Sequence, residues 1–140
     1  MPDGLGEGAG SVDQFAVVVG AGSYRSNRAE AAQFPHRWTT EGVTVEADFT
    51  GAHLLHLATA GCVLNDIYRE AGSLGIPIHG VRVAASGGFD PDTWASTGIT
   101  YRVDLDSPAA AEDLRRLLDR VDEVAEIPRA VRAGAPVRRG

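Results

Sequence analysis

Eleven residues, Leu54 to Leu64 (LLHLATAGCVL), constrain this chain more than any other stretch. Leu54, Leu55, Leu57, Ala58, Ala60, Gly61, Cys62, Val63 and Leu64 leave a helix almost no polar face, and a helix apolar all round is buried on all sides. Thr50-Gly51 supplies a start with Thr50 as cap, and Gly72 and Gly75 supply the end. The prediction is one helix from about residue 50 to Ser73, turning amphipathic after Asn65 and Asp66. The run is too short to span a bilayer, which needs roughly 20 apolar residues. With 140 residues available, one domain must wrap this helix or share it with a second copy. A homodimer with these helices near the shared core is the expected solution.

The surrounding segments read as strands and one more helix. Phe15 to Val19 is a continuous β-branched and apolar run ended by Gly20-Ala21-Gly22. His36 to Thr40 and Gly42 to Phe49 read as a hairpin, with Val43, Val45 and Ala47 facing one way and Thr44, Glu46 and Asp48 the other. Val81 to Ser86 and Ile99 to Asp106 alternate and form a second hairpin across Gly87–Asp92. Residues 23–35 fit either a loop or a short helical turn. Ser107-Pro108 opens a second helix with Ser107 as cap, and Leu114, Leu117, Leu118, Val121 and Val124 give it an apolar stripe. That helix breaks near Ile127-Pro128, and Val137 adds a final edge strand. Residues 1–13, rich in Gly and acidic residues, read as a flexible segment preceding a single domain over 14–140. The order is α+β rather than alternating βαβ.

Composition narrows the function classes. The net charge of −6, from 19 acidic against 13 basic residues, argues against a nucleic-acid surface. No apolar leader or spanning segment points to a membrane. One cysteine permits no intrachain disulfide and no Cys-based structural zinc site, and it suits a reducing, cytoplasmic compartment. Neither a cofactor nor a metal is expected. His53 and His56 are one turn apart, but Cys62 points away from both, so the three share no ligand face.

The stretch "HLATAGCVLNDIYREAGSLGIPIHGVRVAASGGFD" resembles the heart of the OsmC/Ohr-like family, the osmotically inducible and organic hydroperoxide resistance proteins. "ITYRVDLDSPAAAEDLRRLLDRVDEVAEIPRAVRAGAPV" resembles that family's later strand, helix and closing segment, so the likeness covers roughly residues 43–137. It implies antiparallel sheets packed around a long buried central helix, in an intertwined homodimer with a cysteine pocket at the subunit boundary. It also implies reduction of organic hydroperoxides, with Cys62 as the attacking thiol. Two family features are missing. Ala125 stands near the place of the second cysteine, and Ala52 at the spacing of the helix-start glutamate. Arg25, Arg28 and Arg37 are the arginines available upstream, and Arg37 is carried as the activating candidate.

Read from the residues, Cys62 is either a nucleophile or a small hydrophobe filling a hole. Asp66, at i+4, faces it and raises its pKa, as does burial. Three functions follow. The first is a thiol-dependent hydroperoxide reductase using Cys62. The second is a non-redox enzyme drawing on His56, Glu46 or Asp48 for acid–base chemistry. The third is a binding protein for a small apolar organic molecule. His56, Glu46, Asp48 and Asp66 are the candidate binding residues.

Overall fold

A computed structural model describes residues 14–140; the segment 1–13 lies outside the described residues. The elements are β1 (Val17–Gly22), β2 (Ala32–Phe34), β3 (Val43–Glu46), α1 (Gly51–Leu74), β4 (Gly80–Phe89), β5 (Ser96–Asp106), α2 (Ala111–Val124) and α3 (Glu126–Ala133). The strands form one antiparallel sheet in the order β2-β3-β1-β4-β5.

Alternation decides the core face. Val17, Val19 and Ala21 of β1 stand opposite Ala85, Val83 and Val81 of β4. All six are at most 2% exposed, which makes a smooth β-branched floor for α1. On that floor lie Ala60, Val63, Leu64, Ile67 and Ala71. Leu117 and Val121 of α2 close the far side, while Leu114, Leu118 and Val124 of the same stripe are partly buried. One ion pair ties α2 to α1, Arg120 to Glu70 at 3.1 Å, and Arg69 of α1 holds the same carboxylate at 3.0 Å.

Both ends of α1 follow the sequence. Thr50 Oγ1 accepts from the His53 backbone N–H at 3.1 Å, and Gly75 takes the left-handed cap with φ 70°. Its burial is less complete than its composition suggests. His56, Thr59, Ala60, Cys62, Val63 and Leu64 are buried, but Leu54, Leu55, Leu57 and Gly61 are only partly covered and Ala58 is exposed.

Several local readings change. β1 runs on through Gly20-Ala21-Gly22. A Cβ on Gly20 would collide with the Tyr24 carbonyl, because residues 23–31 fold over the outer face of the sheet there. The same cover buries Thr44, whose hydroxyl donates to the Gly20 carbonyl and accepts from the Ser26 N–H at 2.8 Å. The partner of β3 is Ala32–Phe34, not His36–Thr40. Ser107 does not cap α2. Its hydroxyl donates to the Pro77 carbonyl at 2.5 Å and accepts from the Ala109 N–H, three residues before the helix opens at Ala110 without a side-chain cap. Pro128 stands in the first turn of α3 rather than ending structure. Val137 is 93% exposed and outside any strand. Among the described residues no helix is long and apolar enough to cross a membrane.

Candidate functional site

Cys62 faces α3. Its neighbours on that side are Asp66, one turn on along α1, and Glu126, the first residue of α3. The thiol donates to Glu126 Oε1 at 3.4 Å. Sulfur and carboxylate oxygens lie within 4.8 Å of one another. Cys62 is 8% exposed. Burial pushes its thiol up to about 11, the nearby Asp66 and Glu126 carboxylates push the same way, and only the Ile127 backbone N–H pulls against them. No arginine is among these influences.

The carboxylates themselves differ. Asp66 is 2% exposed, and burial raises its pKa against the lowering effect of Arg69. The Arg69 guanidinium lies 3.1 Å from Asp66 Oδ2 as an ion pair, without the alignment of a hydrogen bond. Glu126 is exposed, and its own backbone N–H and then the Cys62 thiol hold it below the usual carboxylate range. An ionised Glu126 therefore accepts the proton end of a neutral thiol. The cluster is acidic, with its thiol and Asp66 covered and Glu126 exposed at its rim.

The opposite flank of α1 is open. A cavity of about 380 Å³ is lined by Leu57, Gly61, Leu64 and Asn65 of the helix and by residues 34–38 and the β3 valines. Gly61 is next to Cys62 in sequence, but a helix turns about 100° per residue, so it faces the cavity and the sulfur does not. Asn65 Oδ1 accepts from His36 Nε2 at 2.9 Å, and His36 Nδ1 pairs with the Thr39 hydroxyl at 2.8 Å. His36 also meets Tyr68 edge-on. Arg37 lies over the Trp38 ring, 5.9 Å from its centre. The walls are mostly apolar, with His36, Arg37 and Asn65 as converging polar groups.

Of the residues singled out in the sequence, the structure brings only Asp66 to Cys62. Arg37 lines the cavity on the other flank. Glu46 accepts from the Ser26 hydroxyl at 3.0 Å and pairs with Arg28 at 3.4 Å, so it holds the covering loop. Asp48 is exposed, 3.9 Å from His53. His56 is fully buried between Phe15 and Phe89, with Nδ1 donating to the Ala52 carbonyl at 2.7 Å. Two residues were missed. Glu126 is 64 positions from Cys62 and only the α2–α3 corner brings it there; its one signal is its place beside Ala125 in the segment "AEIP". His36 was hidden inside a segment read as strand.

A family model described as OsmC-like protein matches residues 36–138. The fold is similar to the solved structure of an OsmC-like protein from Mycoplasma pneumoniae, with TM-score 0.57 and 12% identity over 76% of this chain and 89% of that one. It is also similar to an OsmC-like hydroperoxide resistance protein from Jannaschia sp. CCS1, with TM-score 0.49 and 14% identity over 90% and 93% of the two chains. A comparison with curated proteins finds no match. With the family match running from the start of the 36–40 segment to nearly the end of the chain, the protein belongs to the OsmC-like family.

Proposed function

We propose that this OsmC-like chain is a homodimeric binding protein for a small apolar organic molecule, with Cys62 held as a neutral thiol. The carrying observation is the placement of the two features on α1. The sulfur is shut between α1 and α3 against carboxylates, and the cavity lies on the other flank of the helix. A thiol near 11 leaves only about one molecule in 10⁴ as thiolate at neutral pH, and the thiolate is the nucleophile. The cavity needs no chemistry to hold an apolar ligand that meets Arg37, His36 or Asn65 with one polar group.

What α1 leaves uncovered supports the homodimer reading. Leu54, Ala58 and Gly61 form a partly bare strip along α1, and Phe34 at 53% and Trp38 at 38% exposure line the cavity that Gly61 faces. A second copy docked there would cover the strip and close the cavity mouth.

One specific observation favours a second reading, a one-cysteine hydroperoxide reductase. Cys62 sits on the central helix of an OsmC-like fold and its sulfur receives the Ile127 N–H at the start of α3. In that reaction the thiolate sulfur attacks the outer peroxide oxygen, giving sulfenic acid and an alcohol; one external thiol then forms a mixed disulfide with loss of water, and a second releases the cysteine as thiol and leaves as the external disulfide. One experiment separates the two. The protein is assayed for cumene hydroperoxide consumption with dithiothreitol, and for binding of anilinonaphthalene sulfonate through the probe's fluorescence. The binding reading predicts saturable probe binding that Gly61→Leu abolishes, and peroxide consumption no faster than Cys62→Ser. Cys62-dependent consumption well above that background would overturn it in favour of the peroxidase.

A further inference from the structure

Among the described residues, three donor atoms of metal-binding type come together at one place: the Cys62 sulfur, an Asp66 oxygen and a Glu126 oxygen, all within 4.8 Å of one another. Cys62 and Asp66 stand one turn apart on α1, and Glu126 opens α3. A tetrahedral zinc ion with ordinary bond lengths holds its sulfur and oxygen ligands about 3.5 Å apart. Cys62 Sγ and Glu126 Oε1 already stand at 3.4 Å, with the thiol proton between them. An ion that takes the place of that proton needs little movement of either side chain. A single cysteine is too few for a zinc site built from thiolates, but here two carboxylates supply the other ligands.

Two further observations point to a cation. Asp66 is 2% exposed, and its Oδ2 is buried without a hydrogen bond. Arg69 lies beside that oxygen at 3.1 Å, but the same guanidinium also serves Glu70 at 3.0 Å. Its charge is therefore divided, and a carboxylate this buried is costly to keep without fuller compensation. The Ile127 backbone N–H donates to the Cys62 sulfur, an outer contact of the kind that holds a metal ligand in place. Glu126 is exposed, so the rim gives an ion a way in and leaves a fourth position to water.

We propose that Cys62, Asp66 and Glu126 bind a divalent cation of the zinc class, one per chain, which clamps α3 to the middle of α1. The sulfur favours zinc, cobalt or cadmium over magnesium and calcium, which prefer oxygen ligands throughout. Binding releases the thiol proton to solvent and leaves the thiolate on the ion. The metal-free chain keeps the neutral thiol described above. The site lies on the flank of α1 away from the 380 Å³ cavity, so it stands whatever that cavity binds.

The test is titration of the full chain with Co²⁺, after removal of metals by a chelator and reduction with a phosphine that leaves the ion free. One ion per chain should bring up a sulfur-to-cobalt charge-transfer band in the near ultraviolet, with the strong visible bands of tetrahedral cobalt. Zn²⁺ should bleach both, and Mg²⁺ and Ca²⁺ should bleach neither. Cys62→Ser should abolish the charge-transfer band. Glu126→Gln, a change at an exposed residue, and Asp66→Asn should each weaken cobalt binding at least about tenfold. Zn²⁺ should raise the unfolding temperature of the wild type and not that of Cys62→Ser. Three results would each overturn the proposal: visible cobalt bands without charge transfer, no saturable binding, or an affinity unchanged in both Glu126→Gln and Asp66→Asn. Circular dichroism establishes that each variant is folded before its binding is read.

Discussion

The two flanks of α1 are opposite solutions built on neighbouring residues. On the side of Cys62 the helix is covered by α3 and lined with carboxylates, one of them, Glu126, exposed at the rim. On the side of Gly61 it is thinly covered, apolar and open over a cavity. Adjacent sequence positions thus belong to different environments, since one residue of helix is about 100° of rotation. The difference teaches where reactivity and space are separated. The one thiol is covered and has no activating cation beside it, and the accessible space has no thiol.

The largest expected effect tests how differently the two flanks pack. Ile67 is fully buried against the sheet, so Ile67→Ala should cost about 2–5 kcal/mol. Leu57, partly exposed beside the cavity, should cost roughly half of that or less when cut to Ala. Urea unfolding of both variants, at one protein concentration to hold any dimer constant, reads the contrast. Equal losses would break it.

Next in size is the alkaline behaviour of the closed flank. Cys62 has a folded pKa of about 11 against an ordinary 9.0, so the protonated thiol favours the fold. Its contribution is fully present below about pH 9 and is lost as pH rises toward 11, a drop of about 3 kcal/mol at most. Cys62→Ala removes this titration. The stability difference between wild type and Cys62→Ala should therefore shrink over that pH range in denaturant titrations. A parallel pair of curves would show that burial does not shift the thiol.

A smaller effect resolves what closes that flank. Glu126→Gln removes one negative charge and the thiol's acceptor, so the thiol pKa should fall by less than the whole shift, because burial is its largest cause. Alkylation by iodoacetamide at mildly alkaline pH should speed up several-fold. The smallest effect belongs to the open flank: a Cβ on Gly61 would meet nothing within 4 Å. Gly61→Ala should stabilise the protein by about 0.5–1 kcal/mol through helix propensity alone. A loss instead would mean that the second copy of the proposed dimer packs directly on this glycine rather than on the side chains around it.

The sequence carried the fold where local chemistry decides it. Thr50 and Gly75 bound α1, the valines of β1 and β4 mark the core face, and the leucine stripe marks α2. It misled where one segment's role is set by a distant one. His36–Thr40 reads as the first strand of a hairpin, yet the hydrogen-bonding edge of β3 is taken by Ala32–Phe34, and His36 turns instead to Asn65 on α1. Ser107 has the residue type of a cap, but its hydroxyl is claimed by Pro77. At the site, Asp66 was readable from i+4 spacing alone. Glu126 was not, because no local pattern states which residue of α3 will stand against a helix 64 positions earlier.

The central claim is that Cys62 is a protonated thiol enclosed by its own fold. The most direct test is the pH dependence of Cys62 alkylation in the native protein, followed by mass spectrometry. The account predicts slow modification through neutral pH, rising with an apparent pKa near 11. A rate that levels off below the ordinary thiol value of 9.0, together with clean sulfenic acid formation after one equivalent of cumene hydroperoxide, would contradict it and make Cys62 a nucleophile.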